Sequence, residues 1–406
     1  MKSAKIIIGA GYGDEGKGLV TDFLSQNWAD LTVRFNGGAQ AGHTVNTSDG
    51  TTHIFSHFGS GSLHHIPTYL SQYFVVNPIM FKKEYESLER KLRIVPHVFI
   101  HEDCMVTTIL DILVNQEIEK FRGRNRHGSV GIGINETITR HLDTEYKITV
   151  GMLNHDMSGA MDIINDIYDD YVVKRLVFLG MTEGEALSIL DGIDKDRITE
   201  ETYKNIEFLL DNAILVEKDD DFLGHYDNIV FEGAQGLLLD EFHPYFPYVT
   251  RSRTGIHNVY QLIKDYKDVN VEIYYVTRPY LTRHGAGPFP TEVIGNTNLV
   301  DFPFDVYDPT NKPHKFQGTL RLGYLDIDLL KKTIYDDLNH FKGYPDRLRL
   351  VITCMDQAWE DMSFQKDGKL IDIKSSDFGA YMKKFMGFPV LLNYSPVTPE
   401  TMEEYK

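Results

Sequence analysis

Short runs of Val, Ile, Leu, Phe and Tyr recur along the chain, at 5–9, 31–35, 73–76, 98–100, 228–232, 271–277, 349–353 and 389–392. Most are apolar on consecutive positions rather than alternate ones, the pattern of strands buried on both faces. Helical spacing fills stretches between them, at 79–92, 187–193, 199–211 and 325–338. Strands alternating with helices predict an α/β fold with a mainly parallel central sheet covered by helices. No repeat, low-complexity tract or long linker interrupts the chain, so one large domain, 1–406, with inserted helical and loop segments is expected. The stretch 123–141, rich in Gly, Arg and Asn, reads as a functional loop rather than a domain boundary.

One junction carries chemistry. Ile6-Ile7-Ile8 reads as a strand, a glycine-dense turn follows through Gly13-Asp14-Glu15-Gly16-Lys17-Gly18, and 19–24 begins a helix. Such a junction offers backbone N–H groups and a positive helix end to phosphates, with lysine as a movable counter-charge. From Gly11 the spacing matches G-x-x-x-x-G-K, a P-loop-like site, but the Ser or Thr that normally follows and helps hold Mg²⁺ is Gly18. Asp14, inside the loop, is the candidate replacement ligand, since an acid there would otherwise repel phosphates. The plainer reading is a tight turn with incidental acids. Four glycines, one lysine and two acids within the eight residues from Gly11 argue against it.

Composition narrows the partners. The 406 residues are 42% hydrophobic and 25% charged, ordinary for a soluble protein with a large core. The formal charge of −18 argues against nucleic acid as a general partner and leaves room for local small-anion sites. Cys104 and Cys354 are too few for a disulfide framework and fit a reducing cytosol. With no signal-type apolar region and no run long enough to span a bilayer, a cytoplasmic protein without a membrane partner is expected.

A second segment makes a family resemblance specific: Arg34-Phe35-Asn36-Gly37-Gly38-Ala39-Gln40-Ala41-Gly42-His43-Thr44-Val45. With the first loop it resembles adenylosuccinate synthetase, the family that joins aspartate to C6 of IMP using GTP and Mg²⁺. The resemblance continues through His57-Phe58-Gly59-Ser60-Gly61, Gly128-Ser129-Val130-Gly131, Phe231-Glu232-Gly233-Ala234-Gln235-Gly236 and Thr282-Arg283-His284-Gly285-Ala286-Gly287-Pro288-Phe289-Pro290-Thr291-Glu292. It implies Asp14 as general base and Mg²⁺ ligand, and His43 as acid and electrostatic partner. It places Gly13, Glu15, Gly16, Lys17, Gly18, Gly42 and Thr44 around the nucleotide phosphates, with the Gly42 carbonyl in the metal shell. Gln40, Ser129, Gln235 and Thr250 would meet the acceptor nucleotide. Arg140 would reach a partner's nucleotide across a homodimer interface. Asp356 would accept the N1–H and 2-amino hydrogens of guanine, favouring GTP over ATP. Plainer roles open to these residues are turn or strand-end hydroxyls for Ser129 and Thr250, a surface arginine for Arg140 and a helix N-cap for Asp356.

The pattern breaks at the amino-acid loop. Where the family has paired threonines and several arginines, this chain reads Lys312-Pro313-His314-Lys315-Phe316-Gln317-Gly318-Thr319-Leu320-Arg321. Lys315 and Arg321 are the remaining cations for the aspartate carboxylates; alternatively Arg321 pins the turn before Gly323. A phage branch of the family makes 2-aminoadenylosuccinate from dGMP and often replaces the loop aspartate by serine. Asp14 is retained here, so IMP is the expected acceptor, with dGMP as the alternative. A nucleotide-binding module without ligase activity is the alternative of another class.

Overall fold

The computed structural model describes residues 1–293, 302–308, 311, 315–343, 345–399 and 402–404. The strands in chain order are β1 (Ser3–Gly9), β2 (Leu31–Arg34), β3 (His43–Asn46), β4 (Thr52–Phe55), β5 (Thr68–Leu70), β6 (Val98–His101), β7 (Ile214–Val216) and β8 (Asn228–Gly236). They continue with β9 (Asn270–Thr277), β10 (Tyr280–Arg283), β11 (Arg321–Tyr324), β12 (Arg347–Ile352), β13 (Asp361–Lys366), β14 (Lys369–Lys374), β15 (Val390–Leu392) and β16 (Glu403–Glu404). Ten of them form one sheet in the order β16-β15-β12-β9-β1-β8-β2-β5-β6-β7. Nine run parallel, and β16 adds an antiparallel edge to β15.

The consecutive apolar runs are explained by burial of both faces. Ile6 and Ile8 of β1 pack with Phe231, Ile273, Tyr275 and Leu350 on one side. Ile7 packs with Val230, Tyr274 and Val351 on the other, under Val20 and Leu24 of helix α1 (Lys17–Ser25). A third cluster joins β5 and β6 to the helical segments between 78 and 209, the inserted part of the chain. Because the long strands are parallel, the loops that follow β1, β2, β8, β9 and β12 share one edge, where open α/β sheets bind ligands. No helix among the described residues is long and apolar enough to cross a membrane.

Two expected elements differ. Residues 73–76 are not a strand of the sheet: β5 precedes them, and Val75 and Val76 make only isolated bridges to Gly38 and Val106. Their apolar character comes from burial of a loop, which composition alone cannot separate from a buried strand. The 123–141 stretch is loop only in its first half. From Ile134 it is helix α4 (Ile134–Asp143), entered through Gly133 in the left-handed conformation, after α2 (Pro78–Ser87) and α3 (Ile109–Arg122).

Candidate active site

The glycine loop after β1 is held from within. The Glu15 carboxylate accepts from the N–H groups of Gly11 (2.9 Å) and Gly13 (2.7 Å) and from Lys17 Nζ (2.8 Å). Lys17 Nζ also donates to the Gly13 carbonyl at 2.7 Å. Glu15 thus shapes the loop and balances the lysine, and its side chain is turned away from a role as phosphate contact. Thr353 Oγ1, at the end of β12, donates to the Glu15 carbonyl at 2.6 Å and ties the Asp356 turn to the loop.

Gly18 explains the missing hydroxyl. A Cβ there would lie 2.9 Å from His43 Cβ and 3.3 Å from Ser60 Oγ, so α1 approaches the His43 strand too closely for Ser or Thr. The close approach brings His43 beside the phosphate loop. His43 Nδ1 lies 2.6 Å from Glu232 Oε1, and Glu232 also accepts from Ser60 N (2.9 Å) and Ser60 Oγ (2.5 Å). Burial, then Arg34, push His43 down to about 4, so at neutral pH it is a neutral imidazole with its proton on Nδ1. Glu232, despite burial, is held below the usual carboxylate range by His43 and Arg34. His43 Nε2 is buried without a protein partner.

The same is true of both amide atoms of Gln40 and of Gln235. Gln235, next to last in β8, has φ +57°, a strained left-handed conformation for a non-glycine residue. Asn36 brackets Ala234 through its side chain, donating to the carbonyl (3.0 Å) and accepting from the N–H (2.7 Å), and Gly37 N donates to Ser252 Oγ at 3.1 Å. The loops bearing Gln40, Gln235 and Thr250 are thereby fastened together. A buried polar group without a partner costs about 1–3 kcal/mol, so five such atoms on two glutamines and a histidine mark a place built for a polar ligand.

Asp14 is partly exposed, with Oδ2 3.3 Å from His284 Nε2. Burial pushes its carboxyl up, opposed by His284 and Arg278. Among the described residues no three His, Cys, Asp or Glu side chains converge as a metal site. The donors on hand, the Asp14 carboxylate and the Gly42 carbonyl, are hard oxygens that suit Mg²⁺, which takes its remaining ligands from water and substrate phosphates.

Two expected cations are otherwise engaged. Arg140 is fully buried; Nε and Nη2 donate to Asp111 at 2.9 Å each, Nη2 donates also to the Val106 carbonyl, and Nη1 to that of Tyr146. It staples α4 to the start of α3 and cannot reach a second subunit. Arg321 donates to both oxygens of Glu292 (2.7 and 2.5 Å) and to the carbonyls of Gly285 and Gly287. The turn-pinning alternative is what the structure supports. Lys315 is exposed, its ammonium 5.3 Å over the Phe316 ring, while Lys312, Pro313 and His314 lie outside the described residues. Ser129 Oγ accepts from Asn115 at 2.9 Å. Thr250 N donates to Leu239 O at 2.8 Å, which fixes its backbone beside the segment that follows the Gln235 loop. Asp356 stands exposed in a 3₁₀ turn after β12, so it caps no α-helix.

A model of the adenylosuccinate synthetase family matches residues 6–344. The chain belongs to the adenylosuccinate synthetase family. It is 31% identical over 334 residues to the enzyme of Thermoplasma acidophilum, covering 82% of this chain and 72% of that one. It is 30% identical over 376 residues to that of Lactobacillus acidophilus, covering 91% and 82%. The fold is that of the fully ligated Plasmodium falciparum adenylosuccinate synthetase, at TM-score 0.76 and 21% identity over 99% of both chains. A cyanophage S-2L succinoaminodeoxyadenylate synthetase bound to dGMP and dATP is more distant, at TM-score 0.59 and 15% identity over 100% and 95%. The protein is accordingly a carbon–nitrogen ligase of purine biosynthesis, joining aspartate to IMP with GTP. Neither dGMP as acceptor nor a non-catalytic module is favoured.

Sequence reasoning passed over Glu232, Ser60, Arg278 and His284. Glu232 had a legible signal, a carboxylate directly after the apolar run Ile229-Val230-Phe231. The other three are ordinary loop or strand-end residues until the sheet brings them to the site.

Proposed function

We propose that the edge formed by the loops after β1, β2 and β8 carries the synthetase reaction in two steps, with the residues in the following roles. The lactam oxygen of IMP is a poor leaving group and must first be phosphorylated. Asp14 takes the proton from N1, the electron pair moves onto O6, and O6 attacks the γ-phosphorus of GTP, releasing GDP. The loop N–H groups not taken by Glu15 and the start of α1 hold the phosphates, and Lys17, with one of its three ammonium hydrogens still unspent, supplies charge behind them. His43 stabilises charge on O6 and the moving phosphoryl group. Its Nε2 is a free acceptor at neutral pH, so to donate it takes up a proton as the phosphates arrive; Glu232 steadies the imidazolium. The aspartate amine then attacks C6 and phosphate departs with the bonding electrons.

Asp14 and the Gly42 carbonyl would hold Mg²⁺, which when bound offsets charge on the phosphate oxygens. Gln40, Gln235, Thr250 and Ser129 meet IMP, Asp356 meets guanine, and Lys315 is the cation left for aspartate among the described residues of that loop. The protein acts in the cytoplasm as a homodimer whose partner contact does not run through Arg140.

The observation that supports this reading best is the set of buried atoms without protein partners, His43 Nε2 and the amides of Gln40 and Gln235, beside a phosphate loop that carries Asp14. Phosphate release by the purified protein tests it, with IMP or dGMP, GTP or ATP, and aspartate, glutamate, asparagine or glycine. IMP, GTP and aspartate should give the highest kcat/KM. Turnover confined to dGMP would overturn the acceptor, and preference for a neutral amino acid would overturn aspartate.

A further inference from the structure

We propose that Arg126 is a specificity-determining residue for the amino-acid substrate, its guanidinium binding the side-chain carboxylate of aspartate in place of the arginines missing from the 312–321 loop. This rests on the reading of that loop as the amino-acid site. Arg126 belongs to another segment, the turn between α3 and α4, yet its Nη1 donates to the Lys315 carbonyl at 2.8 Å. Its Nη2 lies 3.9 Å from where a Cβ on Gly318 would stand. A guanidinium therefore fills the space beside a glycine, in the stretch where the family carries several arginines. Among the described residues Nε and Nη2 of Arg126 have no hydrogen-bond partner, and no carboxylate pairs with the group. Nε with Nη2 is the edge by which Arg140 grips Asp111 and Arg321 grips Glu292 in this same fold. Arg126 presents that edge open, with two parallel donors spaced for the two oxygens of a carboxylate.

The backbone that carries Arg126 is fixed on both sides. Glu119, buried on α3, accepts from the N–H groups of His127 (3.3 Å) and Gly128 (2.9 Å), and Gln116 Nε2 donates to the Gly131 carbonyl at 2.9 Å. Phe316 is buried against Gly131, where a Cβ would lie 2.8 Å from its ring, so the amino-acid loop interlocks with this turn. Gly128 in turn packs on Gly285, and a Cβ on it would come within 2.6 Å of the Gly285 Cα. The residue before Gly285 is His284, whose Nε2 lies 3.3 Å from Asp14 Oδ2. Arg126 thus stands at the outer end of a packed path that begins at the catalytic carboxylate. The substrate amine must reach C6 at the inner end, and the α-carboxylate is on the same carbon as the amine. The side-chain carboxylate extends furthest outward, toward Arg126. Lys315, a point charge, cannot supply the bidentate contact that a guanidinium makes.

The test uses the full-length enzyme with Mg²⁺, IMP, GTP and aspartate. Arg126→Gln keeps an N–H for the Lys315 carbonyl and loses the charge. It should raise the aspartate KM ~10–100-fold, with the IMP and GTP KM values within about threefold and Tm within a degree or so. Arg126→Lys, which keeps the charge without the fork, should fall between Gln and the parent. A parental aspartate KM in both Arg126→Gln and Arg126→Ala would overturn the proposal. So would a rise in Arg126→Ala that Arg126→Gln fully restores, the mark of a residue that only holds the Lys315 carbonyl. Equal rises in all three KM values with a falling Tm would overturn it as well. Lys315→Ala separates the two readings. If it raises the aspartate KM and Arg126→Gln does not, the loop remains the amino-acid site and Arg126 alone is excluded. If neither variant moves that KM while the parent uses aspartate, the reading of the loop falls and this proposal with it.

Discussion

The loops after β1, β2 and β8 and the segment from 284 to 321 both carry charged side chains the family would use, yet they differ in what those groups are free to do. In the first region Glu15 and Glu232 spend their hydrogen bonds on holding Lys17 and His43, and the groups left over, Asp14 and His43 Nε2, are open to a ligand. In the second, Arg321 gives its donors to Glu292 and two carbonyls. A motif match cannot tell these cases apart. What decides is whether the donors and acceptors of a side chain are already satisfied by its own fold.

The largest expected effect breaks the first region at its free end. Asp14→Asn keeps a polar side chain in the loop and cannot take the N1 proton. Turnover should fall ~10²–10⁴-fold while nucleotide binding, followed by fluorescence or calorimetry, stays largely intact. Near wild-type turnover would remove Asp14 from the chemistry.

The next effect tests a holding group. Glu232→Gln leaves an oxygen for the Nδ1–H of His43 but no charge to support an imidazolium. The expected loss is ~10–100-fold in kcat, with a much smaller change in either nucleotide KM. A pure KM effect would move His43 into ground-state binding.

Acid separates the regions as well. His43 and His57 are both pushed down to about 4, chiefly by burial. An unfolded histidine titrates near 6.5, so between about 6.5 and 4 the unfolded chain binds more protons and stability falls as pH falls. The stabilisation is fully present above the unfolded value. Tm of the ligand-free protein should therefore drop steadily on going from pH 7 to pH 4.5, and His43→Asn should flatten that slope. An unchanged slope in the variant would show that His43 is not held neutral.

The first region was legible in the sequence because its chemistry is local: strand, glycine turn, lysine and acid follow one another within 6–18. The sheet was legible for the same reason, since each strand buried on both faces announces itself residue by residue. What could not be read were contacts made across the fold. Arg140 lies 29 residues from Asp111, and Arg321 pairs with Glu292 across the same number of positions. Both looked available because nothing near them in sequence claims them. Gly18 was read as a deficit in the phosphate motif. Its cause, His43 Cβ, arrives from β3, 25 positions on.

Asp356 sharpens the comparison at the smallest scale, because it belongs to neither region and is joined to the first one through Thr353 and the Glu15 carbonyl. It is exposed and caps no helix. If it accepts two hydrogens from guanine, Asp356→Ala should reduce the GTP-to-ATP ratio of kcat/KM by about tenfold, the equivalent of one net hydrogen bond to a charged group. Because the side chain is exposed, Tm should stay within a degree or so of the parent. Arg321→Ala is the matched control. It should lower Tm by several degrees, since a bidentate pair and two carbonyl contacts are lost at about 1–3 kcal/mol, and leave the aspartate KM within about threefold. A GTP preference that survives Asp356→Ala would remove Asp356 from base recognition. A tenfold rise in aspartate KM with unchanged Tm in Arg321→Ala would return that arginine to the substrate and dissolve the contrast between the two regions.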